Sequence, residues 1–145
     1  DSSCVAWQKK VHVYITQHQP KFVFISNFTE YQYPLHAKSG NYSQAWVSGE
    51  SSFLKDITSQ VIYIEDTPKP ASALNSFALT RSPTTIAMRQ AVKVAGAIYI
   101  NPSGWLCSTK CAISFNGFNT YRDATHISVH TALALKNSLA SAIPL

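Results

Sequence analysis

The stretch KFVFIS, residues 21–26, decides the fold class of this chain. It is a short, continuous apolar run rich in aromatic and β-branched residues, which is typical of a strand buried on both faces of a sheet. Two runs of the same kind follow it, VIYI at 61–64 and AIYI at 97–100. We therefore predict a sheet built on these three segments.

Helical patterns lie between and around the predicted strands. We expect helices over residues 4–18, 43–59 and 83–94, and a last helix from 128 onward. Pro20 stops the first helix, because a proline disfavours helical geometry in the residue before it. Ser82 caps the third helix, which Gly96 closes, and Ser128 caps the last. Three helices should bury their apolar sides: Cys4, Trp7, Val11, Tyr14, Ile15 and His18 in the first, Trp46, Phe53, Leu54 and Ile57 in the second, and Ala132, Leu135, Leu139 and Ile143 in the last.

Helix and strand alternate along the chain. Such alternation predicts an α/β protein with a mainly parallel sheet and helices on both faces, in three layers α/β/α. Ligands of such sheets bind beyond the carboxyl ends of the strands. Asn27, Asp66 and the loop after Ile100 lie at those ends in the predicted sheet.

The composition excludes several classes of protein. Hydrophobic residues make up 46% of the chain and charged residues 13%, so it is neither a disordered tail nor a coiled coil. No apolar stretch approaches the roughly 20 residues needed to cross a bilayer, and no signal-peptide pattern opens the chain. The net charge of +5 is modest, and no basic stripe accompanies it, so we expect no nucleic-acid partner.

The three cysteines make an odd number. Cys107 and Cys111 are close enough in sequence to close a small disulfide loop, whereas Cys4 has no obvious partner. The alternatives are three reduced thiols, or half of a metal site at Cys107 and Cys111. We favour the disulfide and an oxidising compartment. Because a helical pattern starts almost at once, we expect an upstream segment that supplies the partner of Cys4.

The segment YRDATHIS, residues 121–128, carries the strongest functional signal. It places Asp123 and His126 in a loop just before the final helix, at the edge where an α/β sheet holds its active site. An aspartate three residues before a histidine at this point resembles the last conserved block of SGNH (GDSL-like) hydrolases. Together with residues 105–111, which hold two cysteines, the segment resembles the end of SGNH domains fused to membrane-embedded acyltransferase-3 domains.

The resemblance covers essentially the whole chain, although only residues 105–128 are specific. It implies that residues 1–145 are the C-terminal portion of a single SGNH-like domain, without its first strand and nucleophile segment. Such proteins transfer acyl groups, commonly acetyl, onto bacterial surface glycans. The resemblance thus implies an acyl donor and a glycan acceptor, no cofactor, and an extracytoplasmic position. It further implies attachment to a membrane protein, through an upstream segment or a membrane acyltransferase domain.

The resemblance also assigns catalytic roles. His126 would act as general base on a serine hydroxyl and then as general acid toward the leaving alcohol. Asp123 would accept a hydrogen bond from the imidazole and stabilise its cation. Asn27 would be the oxyanion-hole candidate, although Ser26 and Phe28 stand where the family carries Gly and Asp.

The nucleophile of the family belongs to a Gly-Asp-Ser motif after its first strand, and no such strand is present here. Asp1-Ser2 is one possible remnant, which makes Ser2 a candidate nucleophile. We favour a serine that lies upstream of this sequence.

Other interpretations of these residues stay open. Taken alone, Asp123 could simply cap a turn, and His126 could be an ordinary surface histidine. With His130 they have spacings that suit a metal site, although no fourth ligand accompanies them. The rival function is a catalytically silent SGNH-like domain that binds glycans or acts as a scaffold. A flavodoxin-like binding module ranks last, because no glycine loop is present to cradle phosphate.

Aromatic residues offer one further possibility. Tyr31, Tyr33 and Trp46 could line a sugar-binding surface, although packing in the core or in a loop is the favoured role.

Overall fold

A computed structural model of the chain describes residues 2–27, 42–68, 76–77 and 82–144. The helices are α1 (Ser2–His18), α2 (Tyr42–Lys55), α3 (Pro83–Ala95), α4 (Ser103–Leu106) and α5 (Val129–Ala142). The strands are β1 (Phe22–Ile25), β2 (Gln60–Ile64), β3 (Ser76–Phe77), β4 (Ile98–Ile100), β5 (Cys111–Ala112), β6 (Ser114–Phe115) and β7 (Phe118–Asn119). Within these ranges, no helix is both long and apolar enough to cross a membrane.

The three apolar runs form one sheet in the order β1-β2-β4, as the sequence predicts. Strands β1 and β2 are parallel, with Phe22 opposite Gln60 and Ile25 opposite Tyr63. Among the described strands, β1 lies at one end of this order, so one of its sides is an edge of the sheet. The parallel sheet and its helices confirm the predicted α/β class.

The chain divides into two compact units, and the sheet belongs almost wholly to the first, Asp1–Ile64 with Ser82–Tyr99. Its core is a cluster of apolar side chains from α1, α2 and the turn after it, β2 and α3: Ile15, Leu54, Ile57, Val61, Tyr63, Met88 and Val92. Tyr63 is fully buried and stacks on Tyr99 of β4, with 6.2 Å between the ring centroids. This packing fixes the layer of strands on which the first unit is built.

Helix α3 begins and ends as predicted. The Ser82 side chain accepts a hydrogen bond from the Thr85 backbone N–H, and Gly96 closes the helix with φ +70°. A left-handed residue at this position suits glycine, which lacks a Cβ. The predicted apolar side of α2 is also confirmed, since Leu54 and Ile57 are buried, but the helix ends at Lys55 rather than at residue 59.

Two burial predictions for the first unit are wrong in part. Trp7 and Tyr14 of α1 are 61% and 62% exposed, because only the side of the helix around Ile15 reaches the core. Phe24 is 50% exposed, so β1 is not buried on both faces as expected. An edge strand has a neighbour on one side only, and apolar residues on it are less fully covered.

The second unit comprises Glu65–Arg81 and Ile100–Leu145. Strand β3 pairs antiparallel with β5, and β6 with β7 in a tight hairpin turned by Asn116 and Gly117, both at positive φ. The sequence analysis missed these strands and α4, because elements of two to four residues are too short to show a hydrophobic period.

Helix α5 starts at its predicted cap, since the Ser128 side chain accepts from the Thr131 backbone N–H. The predicted inner face is wrong in part. Leu135 is buried, but Ala132 is exposed, and the second buried position is Thr131. Thr131 and Leu135 are four residues apart and therefore lie on one side of the helix.

Candidate active site

The candidate site is the loop between β7 and α5, and backbone hydrogen bonds close it at two levels. The Ser128 N–H donates to the Thr120 carbonyl at 2.8 Å, and the Arg122 N–H donates to the His126 carbonyl at 2.9 Å. The Ser128 hydroxyl adds a third tie, donating to the Asn119 carbonyl at 2.6 Å. These bonds hold residues 120–128 in one tight turn before the helix begins.

Asp123 is the centre of this turn. Its Oδ1 accepts hydrogen bonds from the backbone N–H groups of Thr125 and His126, both at 2.9 Å. Its Oδ2 faces Arg122, whose Nε and terminal guanidinium nitrogen each lie 3.1 Å away. The Thr125 N–H and the His126 side chain hold the pKa of the Asp123 carboxyl well below its usual range, with Arg122 adding to the effect. The carboxylate is therefore fixed and ionised.

His126 is held by that carboxylate. Its Nδ1 lies 2.8 Å from Asp123 Oδ1 and 3.0 Å from Oδ2. An ionised carboxylate only accepts, so Nδ1 donates to it, and in the neutral imidazole the basic nitrogen is then Nε2. The two side chains are 63% and 43% exposed, for His126 and Asp123 respectively. The pair presents a basic nitrogen to solvent in a fixed orientation, as general base catalysis requires.

The structure contains the predicted disulfide between Cys107 and Cys111. It follows α4 directly, and Cys111 is fully buried at the start of β5. Cys4 is exposed with a free thiol. Tyr121 leads into this turn, and burial raises the pKa of its hydroxyl to about 12, so it stays neutral. The disulfide and Tyr121 bracket the β5–β7 segment from which the turn emerges.

Asn27 lies just after β1, as predicted, and is half-buried in the first unit. Its amide nitrogen is 3.9 Å from the Met88 sulfur, and it hydrogen-bonds the Glu50 carboxyl. Burial raises the pKa of Glu50, and this hydrogen bond offsets part of that rise. The two contacts fix the side chain of Asn27, and its role as an oxyanion donor stays a prediction.

Ser2 is exposed in the first turn of α1. A nucleophile elbow places its serine between a strand and a helix. The assignment of Ser2 as a nucleophile stays a prediction.

The other candidate residues are distributed as follows. His130 stacks on Phe118 with 4.3 Å between the ring centroids. In the described part of the chain, no three His, Cys, Asp or Glu side chains form a group that could hold a metal ion. Trp46 packs against the first-unit core, half-buried. Tyr31 and Tyr33 lie outside the described residues.

Arg122 and Thr125 complete the site, and the sequence analysis missed both. Thr125 donates its backbone N–H and its hydroxyl to Asp123 Oδ1. An aspartate followed two residues later by threonine is a signal for such a local turn. Arg122 directly precedes Asp123, and only the folded turn reveals that its guanidinium contacts the Asp123 carboxylate.

No family model and no curated protein matches this chain. Among solved structures, it is similar to the periplasmic domain of a lipopolysaccharide acetyltransferase from Salmonella ser. Paratyphi A, with a TM-score of 0.69 and 18% identity. The match covers 92% of this chain and 60% of that one, so the chain spans about 60% of the length of that domain. The likeness confirms the three-layer α/β/α fold.

Proposed function

We propose that this chain is the C-terminal portion of a single SGNH-like domain that transfers O-acyl groups, in the first place acetyl, to bacterial cell-surface glycans, or hydrolyses such esters. The reaction uses a Ser-His-Asp mechanism in which Asp123 and His126 come from this chain. The nucleophilic serine comes from outside this chain, and Ser2 is the second candidate for that role. The observation that carries the proposal is the bond of 2.8 Å between Asp123 and an exposed His126.

In the first half of the reaction, the serine Oγ attacks the acyl carbonyl carbon while its proton passes to His126 Nε2. The resulting oxyanion is held by hydrogen-bond donors, for which Asn27 is the candidate. When the intermediate collapses, the bond from the acyl carbon to the leaving oxygen breaks. His126 gives its proton to that oxygen, and an acyl-serine remains.

In the second half, a glycan hydroxyl or water attacks the acyl-serine. His126 takes the proton of the attacking group and returns it to the serine oxygen as the ester bond breaks. Asp123 stabilises the imidazolium in both halves, and it stays ionised because five donor groups surround it. Transfer and hydrolysis differ only in the attacking hydroxyl.

The similar Salmonella structure supports this substrate class, because it is the periplasmic domain of a lipopolysaccharide acetyltransferase. The disulfide between Cys107 and Cys111 supports an oxidising, extracytoplasmic compartment. The partners are then an acyl donor, a glycan acceptor, and an upstream segment or membrane acyltransferase domain of the same protein.

A second candidate is a catalytically silent domain that binds glycans or acts as a scaffold. It is favoured by one observation, the exposure of both members of the pair to solvent. If the Asp123–His126 pair had to be shielded from water for catalysis, another segment or the substrate would have to cover it.

The test is fluorophosphonate labelling read by intact mass, on the protein at its full natural length. We expect one adduct, and we expect His126→Ala to slow its formation by at least about a hundredfold, the usual contribution of a general base. Asp123→Asn should slow labelling as well, because it disturbs the tautomer of the imidazole.

The matched control is His18→Ala, which removes an exposed histidine that stacks on Tyr14. Labelling should proceed in this variant as in the wild type. The present chain is labelled in parallel: an adduct on it would place the nucleophile within the chain, with Ser2 first in line. If the full-length protein takes up no label, or His126→Ala labels at the normal rate, the catalytic proposal fails and the silent domain is favoured.

A further inference from the structure

A second exposed feature flanks the catalytic turn. Phe118, in β7, is 51% exposed and stacks on the imidazole of His130 in the first turn of α5. The two rings are nearly parallel, at an interplanar angle of 5°, with 4.3 Å between their centroids. One face of the phenyl ring is thus covered by His130, while half of the side-chain surface remains open to solvent.

Phe118 and His130 lie next to the residues whose hydrogen bonds close the turn of residues 120–128. Phe118 directly precedes Asn119, whose carbonyl accepts the Ser128 hydroxyl at 2.6 Å. His130 follows Ser128 by two residues, and His126 precedes it by two. The stacked rings therefore lie just outside the two ends of the turn, whose middle carries Asp123 and His126. An aromatic surface and the candidate general base belong to one local hydrogen-bonded unit.

Phe118 pairs with Phe115 across the β6–β7 hairpin, and polar residues flank it along the chain. Asn116 and Asn119, on either side of it in the β6–β7 hairpin, are exposed and offer amide donors and acceptors. A pyranose ring has one face of C–H groups and a rim of hydroxyls. An exposed aromatic face beside amides matches both parts, since the ring packs against the C–H face and the amides can hydrogen-bond the rim.

We propose that Phe118, backed by His130, is the platform on which a pyranose ring of the acceptor glycan stacks beside the Asp123–His126 pair. The proposal rests on the proposed function for its substrate class, but binding on the platform requires no nucleophile. The platform orients a sugar hydroxyl toward His126 for the second half of the reaction. Phe118 is thus a binding residue, and His130 positions it.

The experiment is saturation-transfer difference NMR on the full-length protein, which detects weak sugar binding. The probes are the methyl glycosides of glucose, galactose, rhamnose and N-acetylglucosamine. We expect at least one to bind with its C–H face toward the protein. Phe118→Ala should raise its Kd about five- to tenfold, the effect of losing one aromatic stacking contact. Phe118→Trp keeps an aromatic face and should stay within about twofold of the wild type.

Leu133→Ala is the matched control, because Leu133 is also on α5 and is 61% exposed. It should leave the Kd unchanged, and thermal unfolding of Phe118→Ala should show an intact fold. The proposal is overturned if no glycoside binds, if Phe118→Ala binds as the wild type does, or if Leu133→Ala weakens binding equally. The last result would indicate a broad apolar surface for a macromolecule. These outcomes are independent of fluorophosphonate labelling, so a failure here is distinguishable from a failure of the catalytic proposal.

Discussion

The two compact units of the chain are held together in different ways. In the first, apolar side chains from three helices and a parallel strand form one buried cluster around Tyr63 and Met88. In the second, the candidate site is an exposed turn whose order comes from short-range hydrogen bonds on Asp123 and Ser128. Burial stabilises the scaffold, and local polar geometry shapes the chemistry.

The difference has a physical basis. A catalytic base must be accessible to its substrate, and in this turn the residues that orient His126 are also exposed, so hydrogen bonds hold them rather than burial. Backbone N–H groups can orient the Asp123 carboxylate in place of buried side chains. The turn itself fixes their positions, so no further side-chain entropy is lost. The exposed ion pair with Arg122 adds little stability by itself, since solvent screens it. Substitutions in the two units should therefore give effects of different kinds.

The largest expected effect lies in the first unit. Met88 is 1% exposed within the core, and Met88→Ala should reduce the free energy of unfolding by about 2–5 kcal/mol through lost burial and a cavity. Urea unfolding measures the loss. The control is Ile86→Ala on the same helix, where the side chain is 58% exposed, and it should cost less than about 0.5 kcal/mol. Equal losses in the two variants would contradict the packing described here.

A smaller effect is expected from Ser128→Ala in the second unit. The variant removes the cap of α5 and the tie to the Asn119 carbonyl, and should cost about 1–2 kcal/mol. The specific readout is hydrogen exchange at the backbone N–H groups of Arg122 and Ser128, which should become faster. Ser82→Ala removes the equivalent cap of α3 and should leave that exchange unchanged. Unaltered exchange in Ser128→Ala would show that the turn does not depend on this hydroxyl.

The smallest effect concerns Glu50, the carboxyl that bonds Asn27. Burial raises its pKa above 4.5, so the folded protein binds this proton more readily than the unfolded chain does. The stability that this carboxyl contributes is therefore present at low pH and is lost as pH rises through the raised pKa. Glu50→Gln should unfold at a higher temperature than the wild type at pH 7.5, and the difference should shrink at pH 4.

Asp56→Asn is the control for Glu50, since Asp56 is exposed directly after the same helix. Its melting temperature should follow the wild type at both pH values. If Glu50→Gln shows no pH-dependent difference, the carboxyl is better solvated than its burial suggests.

Much of the architecture follows from the sequence. The caps Ser82, Gly96 and Ser128 bound two helices within a residue of their predicted positions, because a cap acts through its immediate neighbours. The three apolar runs formed strands of one parallel sheet, because continuous apolar runs that alternate with helices are typical of such sheets. The disulfide was also favoured from the spacing of Cys107 and Cys111.

The pattern of exposure did not follow from the sequence. Trp7, Tyr14 and Phe24 have apolar side chains at positions with the expected period, yet all three are at least half exposed. Periodicity indicates which side of an element is apolar, but the extent of burial depends on what packs against it. For an edge strand and a terminal helix, that neighbour is not encoded in the segment itself.

The candidate site likewise has one part that the sequence predicted and another that only the structure shows. The sequence by itself picked out Asp123 and His126 as the candidate pair, because they are three residues apart and a tight turn can bring them together. Only the tertiary structure decided how the carboxylate is oriented, with Arg122 on one oxygen and two backbone N–H groups on the other. It also decided that Phe118 meets His130 across the turn. Spacing limits which side chains can meet, whereas the directions of hydrogen bonds and ring faces are fixed only when the backbone has closed around them.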